Sequence, residues 1–277
     1  MTHKDNRWKA TRRSVMVAAL LVASMPVLAK TSPVTEKDVT ITTPDGTADA
    51  AVYTPSGKGS WPAVILWHDL AGLRPNIRTL AKKLAAEGYV VLAPNAFYRS
   101  AKASGEELDM HNADIRKRQT DYRIAATDDG IARDAMAYVA WLDTQKQVTK
   151  KKKMGTVGYD VGGSYAFRTA AAAPDRIAAV ASIHGLGAAT ARPNSPHLLV
   201  PKTKASYFIV QSKDDDAREP EDKEDYKKVI AEGKLKGDVL VYEGNHGFAI
   251  PGNANYDATA SDKAWTGILA LFKSTLK

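Results

Sequence analysis

Cysteine is absent from all 277 residues, which excludes a disulfide framework, a thiol nucleophile and a thiolate metal site. A strong charge of one sign is lacking as well. The formal charge is +8, but five bases (Lys4, Arg7, Lys9, Arg12, Arg13) against Asp5 place a net +4 on residues 1–29 and leave +4 on the rest. There acids and bases alternate, and no zinc-finger, RNP or helix-turn-helix pattern is present, so a nucleic-acid partner is not expected. An apolar run long enough to span a bilayer is also missing from the N-terminal segment. Val15 to Ala23 is short and Ala-rich, so no stable membrane insertion is expected.

That segment has the form of a targeting signal instead. A basic stretch through Arg12-Arg13 precedes the apolar run, a polar break follows at Ser24 and Pro26, and cleavage after Ala29 satisfies a small-residue preference. Thr11-Arg12-Arg13-Ser14-Val15-Met16 resembles a twin-arginine export signal. Residues 1–29 are therefore expected to direct export to a periplasm, the alternative being an amphipathic or disordered tail.

What is present is a chain 44% hydrophobic, enough to bury a sizeable core. After a linker to about Glu36, Val39–Thr43 and Ala48–Tyr53 flank Pro44-Asp45-Gly46 as an antiparallel pair at a sheet edge. Continuous apolar runs at 63–67, 89–93, 154–157, 177–183, 205–210 and 238–242 read as strands. Helical periodicity spans 76–87, 124–142, 161–173, 221–232 and 258–272. Ala132, Ala135, Met136, Val139 and Ala140 form one broad face of the second of these, and the polar residues 100–120 form a surface excursion without a period. This alternation predicts an α/β fold, a mostly parallel sheet covered by helices on both faces, in a single domain over 36–277. No internal repeat is seen.

Gly158-Tyr159-Asp160-Val161-Gly162-Gly163 lies between a strand and a helix, in the form of a nucleophile elbow. A carboxylate stands where a serine or cysteine is usual, and the bland reading is a helix-capping Asp. Asp160, the acids Asp214-Asp215-Asp216 and His246 each follow a strand, in the chain order nucleophile, acid, histidine of an α/β-hydrolase triad. His246 would relay protons, steadied by an acid on its other ring nitrogen. Spacing from Val210 picks Asp215, spacing from Ala217-Arg218 allows Asp216, and Asp214 reads as a turn residue. Backbone N–H groups of Leu70 and Val161 are the candidate oxyanion donors. Ser164 lies a turn too deep to replace the nucleophile. His68 and Asp69 cannot by themselves fix a coordination shell, and His111 and His184 have no spacing that recruits them, so no metal is expected.

The chain resembles the dienelactone hydrolase family over residues 36–275. The likeness rests on Trp67-His68-Asp69-Leu70-Ala71-Gly72-Leu73, Gly88-Tyr89, Ala93-Pro94-Asn95-Ala96-Phe97-Tyr98-Arg99, the Gly-Tyr-x-x-Gly-Gly elbow, Ile183-His184-Gly185 and Tyr242-x-Gly-x-x-His246-Gly-Phe248. The resemblance implies hydrolysis of enol-lactones and related esters with no cofactor, His246 as triad histidine and Asp215 as triad acid. It also implies Arg99 as the grip on a substrate carboxylate, Asp69 at the place of a glutamate that tunes the nucleophile, and Tyr98 lining the mouth beside Trp67. The partner is then a small molecule, taken by a monomer or small homo-oligomer.

The departure is Asp160 in place of the family's cysteine. Attack by a carboxylate on an ester carbonyl gives a mixed anhydride, whereas attack on a saturated carbon gives an ester that water can cleave. Three readings follow: a hydrolase of small esters or lactones, an Asp-nucleophile hydrolase of carbon–halogen or epoxide compounds, and a non-catalytic binding relative. In the third, Asp160 and Arg99 would form an internal ion pair.

Overall fold

Period-two alternation within the apolar runs feeds two separate cores. Ala63, Ile65 and Trp67 point to one face of the sheet and Val64 and Leu66 to the other. Tyr207 and Ile209 alternate in the same way with Phe208 and Val210. The computed structural model describes Met1, residues 33–185, Gly187 and residues 189–276. The expected export signal and the cleavage point after Ala29 lie outside the described residues.

Eight strands make one sheet: β1 (Val34–Thr43), β2 (Gly46–Pro55), β3 (Ala63–Trp67), β4 (Val90–Pro94), β5 (Met154–Tyr159), β6 (Ile177–Ile183), β7 (Ser206–Ser212) and β8 (Gly237–Tyr242). Their order is β1-β2-β4-β3-β5-β6-β7-β8. The β1–β2 and β2–β4 pairs are antiparallel and the other five parallel. Helices α1 (Pro75–Ala86) and α7 (Ala258–Leu276) cover one face; α3 (Asp128–Thr144), α4 (Val161–Ala172) and α6 (Asp222–Glu232) cover the other. The expected α/β architecture is present, and the described residues from 33 onward fall within one compact unit, Thr31–Lys277.

Four expectations are corrected. The first strand begins at Val34, within the expected linker, because β2 offers ladder partners as far as Pro55. Residues 100–120 are not wholly irregular: helix α2 (Ala113–Ala125) starts at Asn112, whose side chain accepts from the N–H groups of Asp114 and Ile115. It buries only Gln119, which is why no apolar period marks it. The single helix expected over 124–142 is two, broken at Ala126–Thr127, where Thr127 caps α3. The inward face of α3 carries Ile131, Asp134, Ala135, Tyr138, Val139 and Leu142, while Met136 and Ala140 are exposed. Finally, Asp214, expected as a turn residue, lies with Asp215 and Asp216 in a short helix, α5 (Lys213–Arg218). Among the described residues no helix is long and apolar enough to cross a membrane.

Candidate active site

The site is built on the carboxyl ends of β3, β5, β7 and β8, where the loops of a parallel sheet converge. Asp160 joins β5 to α4 with φ 52° and ψ −122°, a backbone conformation that is costly for a residue with a side chain. The glycines around it make the turn possible. A Cβ on Gly158 would lie 1.8 Å from the Gly162 carbonyl oxygen, and one on Gly162 would lie 2.5 Å from that of His68.

Strain at Asp160 does not serve capping, because its carboxylate makes no cap hydrogen bond to α4. It reaches across the sheet instead. Oδ2 accepts from the Leu70 N–H at 3.0 Å, and Oδ1 lies 3.2 Å from His246 Nε2. That second approach is an ion-pair distance outside hydrogen-bond alignment, so Oδ1 is buried without a hydrogen-bond partner among the described residues. Val161 follows as the first residue of α4.

His246 sits in the loop after β8. Its Nδ1 is 2.7 Å from Asp215 Oδ2, its backbone N–H donates to Asp214 Oδ1 at 2.7 Å, and its carbonyl accepts from Asn255 at 2.8 Å. Asp215 is held in turn by Ser212, whose hydroxyl donates to Oδ2 at 2.5 Å, and by Arg218. Asp216 points elsewhere, to Lys223 at 2.8 Å. Of the three acids, Asp215 is the one on the ring. Burial works against charge on His246, but the facing carboxylates of Asp160 and Asp215 outweigh it and push its pKa up to about 10. At neutral pH the ring is an imidazolium between two carboxylates. Burial likewise works against charge on Asp215, yet its hydrogen bonds from His246 and Ser212 leave its pKa below the usual value.

Two further histidines are fully buried. His68 is fully buried and its pKa is pushed down to about 4 by that burial. Its Nε2 accepts from the Ala96 N–H at 3.0 Å, so Nδ1 donates to the Asp69 carbonyl at 2.7 Å. The neutral ring therefore ties the loop carrying Leu70 to the loop after β4. His184, pushed down to about 3 by burial and by neighbouring His246, stands edge-on to His246 and to Phe248, each at 5.2 Å.

Several residues that the resemblance placed around the substrate have other partners. Asp69 forms a two-point ion pair with Arg74, at 2.5 and 2.9 Å, which braces the Leu70 loop. Trp67 is fully buried beneath the site, donating to Thr169 at 3.0 Å. Arg99 is gripped by Asp134 at 2.8 and 2.9 Å and by Asp45 at 2.6 Å. Tyr98 donates to Asp134 at 2.9 Å and shares a 2.6 Å hydrogen bond with Thr43. The conjectured Asp160–Arg99 ion pair is thus not formed, because Asp134 and Asp45 occupy the guanidinium. Nothing in the sequence pattern marked Asp45 or Asp134 as counter-ions, since each meets Arg99 only through the tertiary fold; Arg74 lies five residues from Asp69 in the same loop. Among the described residues no group of three or more His, Asp or Glu side chains is arranged to hold a metal ion.

The sequence model of the dienelactone hydrolase family matches residues 48–276. The chain belongs to the dienelactone hydrolase family. As a member it is a hydrolase, one that has no cysteine anywhere in its sequence. Among relatives, it is 34% identical over 128 residues to the carboxymethylenebutenolidase of Rhodococcus opacus, a match covering 46% of each chain. It is 29% identical over 231 residues to Protein usf of Aquifex pyrophilus, covering 81% of this chain and 93% of that one. A solved structure from metagenomic libraries, the dienelactone hydrolase-like promiscuous phosphotriesterase P91, superposes with a TM-score of 0.71 at 22% identity. That match covers 88% of this chain and 99% of the other, a likeness of fold. Within this dienelactone hydrolase fold, Asp160 occupies the elbow between strand and helix.

Proposed function

We propose that Asp160 is a nucleophile toward saturated carbon and that the protein hydrolyses small carbon–halogen or epoxide compounds through an alkyl-enzyme ester. The observation that carries this reading is the 3.0 Å hydrogen bond from Leu70 N–H to Asp160 Oδ2. In ester hydrolysis this donor would have to serve the substrate's carbonyl oxygen, yet it is already spent on the enzyme's own carboxylate. In alkyl transfer it has work at both stages. It first orients Asp160, then stabilises the oxyanion that forms on that same oxygen when water attacks the Asp160 ester.

The bookkeeping of charge fits the two stages. Oδ1, free of hydrogen bonds, attacks the carbon, and the halide departs with the bonding pair; an epoxide oxygen would depart as an alkoxide and take its proton from His246. Asp160 becomes a neutral ester. One of the two carboxylates that hold His246 protonated is then gone, so the imidazolium surrenders its proton to solvent or has already given it to the alkoxide. The neutral ring, still oriented by Asp215, takes a proton from water as the water attacks the ester carbonyl. Collapse expels the alcohol, which takes that proton, and the regenerated carboxyl group reprotonates His246. The sum is one water consumed and one alcohol formed, with halide and a proton released in the halide case.

A single turnover in heavy-oxygen water tests the scheme. The expected result is label on the Asp160 carboxylate and unlabelled alcohol; label in the first-turnover alcohol, with none on Asp160, overturns it.

A second reading, hydrolysis of small esters or lactones, is favoured by the name of the Rhodococcus opacus relative. Asp160→Cys separates the two. Under the first reading D160C gains esterase activity toward activated esters and is trapped by a haloalkane as a thioether. Under the second, the parent protein already cleaves esters and D160C only alters the rate.

The same proposal covers the chain's N-terminus: residues 1–29 act as an export signal, leaving 36–277 as a single periplasmic domain. Sequencing the protein recovered from a periplasmic fraction should read from Lys30, and a protein retaining residues 1–29 in the cytoplasm would overturn this part.

A further inference from the structure

Charges that alternate along the chain are sorted by the fold. Strands β3 to β8 run parallel, so the residues ahead of them meet at one end of the sheet, opposite the end that carries Asp160. A base lies within two residues of the start of four neighbouring strands: Lys153 at β5, Arg176 at β6, Lys204 at β7 and Lys236 at β8. The turn Lys146–Lys153, which leads into β5, contains five lysines and no acid, and all five lysines are exposed.

This turn is fixed through its backbone. Thr149 N–H donates to the Trp61 carbonyl at 2.9 Å, Lys152 N–H donates to the Thr149 carbonyl at 3.2 Å, and the Lys152 carbonyl accepts from Arg176 at 2.9 Å. Lys153 Nζ donates to the Asp175 carbonyl at 2.6 Å, whereas the side chains of Lys146, Lys150, Lys151 and Lys152 have no partner among the described residues. Two acids at this end are already matched, Asp143 by Arg176 and Asp175 by Lys204, each at 2.6 Å. Glu87, Glu232 and Asp238 form no ion pair here, and Lys58, Lys202, Lys234 and Lys236, equally unpaired, more than balance them. A lysine in the last turn of a helix complements the helix's carboxyl end, but that attraction fades beyond the turn. Lys150 to Lys153 lie six or more residues past Thr144, the last residue of α3, so no such attraction offsets their mutual repulsion.

We propose that this end of the sheet docks on an anionic lipid bilayer, with Lys150, Lys151 and Lys152 at the centre of the contact. An anionic bilayer attracts any cation held within a Debye length of it, whatever the geometry of the headgroups, and the Lys ammonium group acts as such a point charge. The turn carries no aromatic ring on which a base could stack, and the one guanidinium at the strand starts, Arg176, is engaged by Asp143. The devices that hold single strands and read base edges are thus missing from it. The contact is peripheral, since among the described residues no helix is long and apolar enough to cross a membrane. Strand β5, six residues long, separates the turn from Asp160 by roughly 20 Å. A docked molecule therefore turns its candidate active site to the aqueous side.

Co-sedimentation of the full-length protein with vesicles tests the proposal. The readout is the ratio of binding to mixed phosphatidylglycerol–phosphatidylcholine vesicles over binding to phosphatidylcholine alone, which cancels any apolar contribution from the N-terminal segment. The parent should favour the anionic vesicles, and the ratio should fall as salt is raised. Replacing Lys150, Lys151 and Lys152 together by Gln (K150Q/K151Q/K152Q) should lower the ratio on the order of a hundredfold, at about fivefold per lysine. The same variant should not lower the thermal midpoint, because it removes repulsion and no contact. K102Q/R116Q/K117Q, which removes three exposed charges from the connection after β4, should leave the ratio unchanged, as should R12Q/R13Q. A ratio near one for the parent, an unchanged ratio in K150Q/K151Q/K152Q, an equal loss in either control, or tighter binding to a DNA duplex than to anionic vesicles at the same salt overturns the proposal.

Discussion

His246 is a residue whose charge is decided by two neighbours, each within 3.2 Å. Neutralising either one must therefore move its titration, and Asp160 is the neighbour that chemistry would neutralise. In D160N the His246 ring should titrate well below about 10, shifted by more than about one pH unit. Following the imidazole resonances by NMR across pH 5 to 11 reads this directly, and an unmoved titration would mean that Asp215 alone sets the charge. The same raised value has a consequence for stability. Its folded-state pKa of about 10 lies above the ordinary 6.5, so the charged ring stabilises the fold fully below about pH 6.5, and this contribution is lost as pH rises through 10. The gap in thermal midpoint between the parent and H246Q should narrow over that interval. Asp160, Asp215 and His246 were legible as residues because each follows a strand in a fixed chain order. The choice of Asp215 over Asp216 needed the α5 turn, which sends one carboxylate to the ring and the next to Lys223.

At the scale of elements, the elbow has the closest approach among the described glycines, 1.8 Å from a Cβ on Gly158 to the Gly162 carbonyl oxygen. Gly→Ala at an ordinary helical position would gain up to about 1 kcal/mol of helix propensity. At Gly162 the added methyl group would meet the backbone oxygen of His68 at 2.5 Å, and a backbone neighbour cannot swing aside. Gly162→Ala should destabilise the fold by about 1–3 kcal/mol, as overpacking of a filled core does, and should displace the Leu70 loop; denaturant unfolding checks the first effect. Gly267 makes the same point where α7 docks on the sheet, since a methyl group there would lie 2.0 Å from the Phe208 ring. G267A should lower stability despite its better helix propensity. Strands and amphipathic helices were readable from periodicity, because burial of one face imposes it. Helix α2 was not, since it buries almost nothing and rests on the Asn112 cap.

At the scale of the whole molecule, Arg99 fastens the β1–β2 turn to α3 through Asp45 and the fully buried Asp134. Arg99→Gln would leave a carboxylate in the core without its counter-ion, and the expected loss is on the order of 3 kcal/mol. A thermal midpoint within about a degree of the parent would mean that Asp134 finds another partner. Burial opposes charge on Arg99, but its hydrogen bonds to Asp134 and Asp45 raise its pKa above the usual value, so this clamp does not titrate near neutrality.

The α/β class, the elbow and the order of Asp160, Asp215 and His246 follow from local rules: alternation, turn sterics and position after a strand. These act over a few residues and survive without knowledge of the fold. Which donor faces Asp160 and which acids claim Arg99 are different in kind. Those pairings join residues such as Leu70 and Asp160, or Asp45 and Arg99, that lie tens of positions apart in the chain. Only the packed sheet and its helices bring them within hydrogen-bond distance.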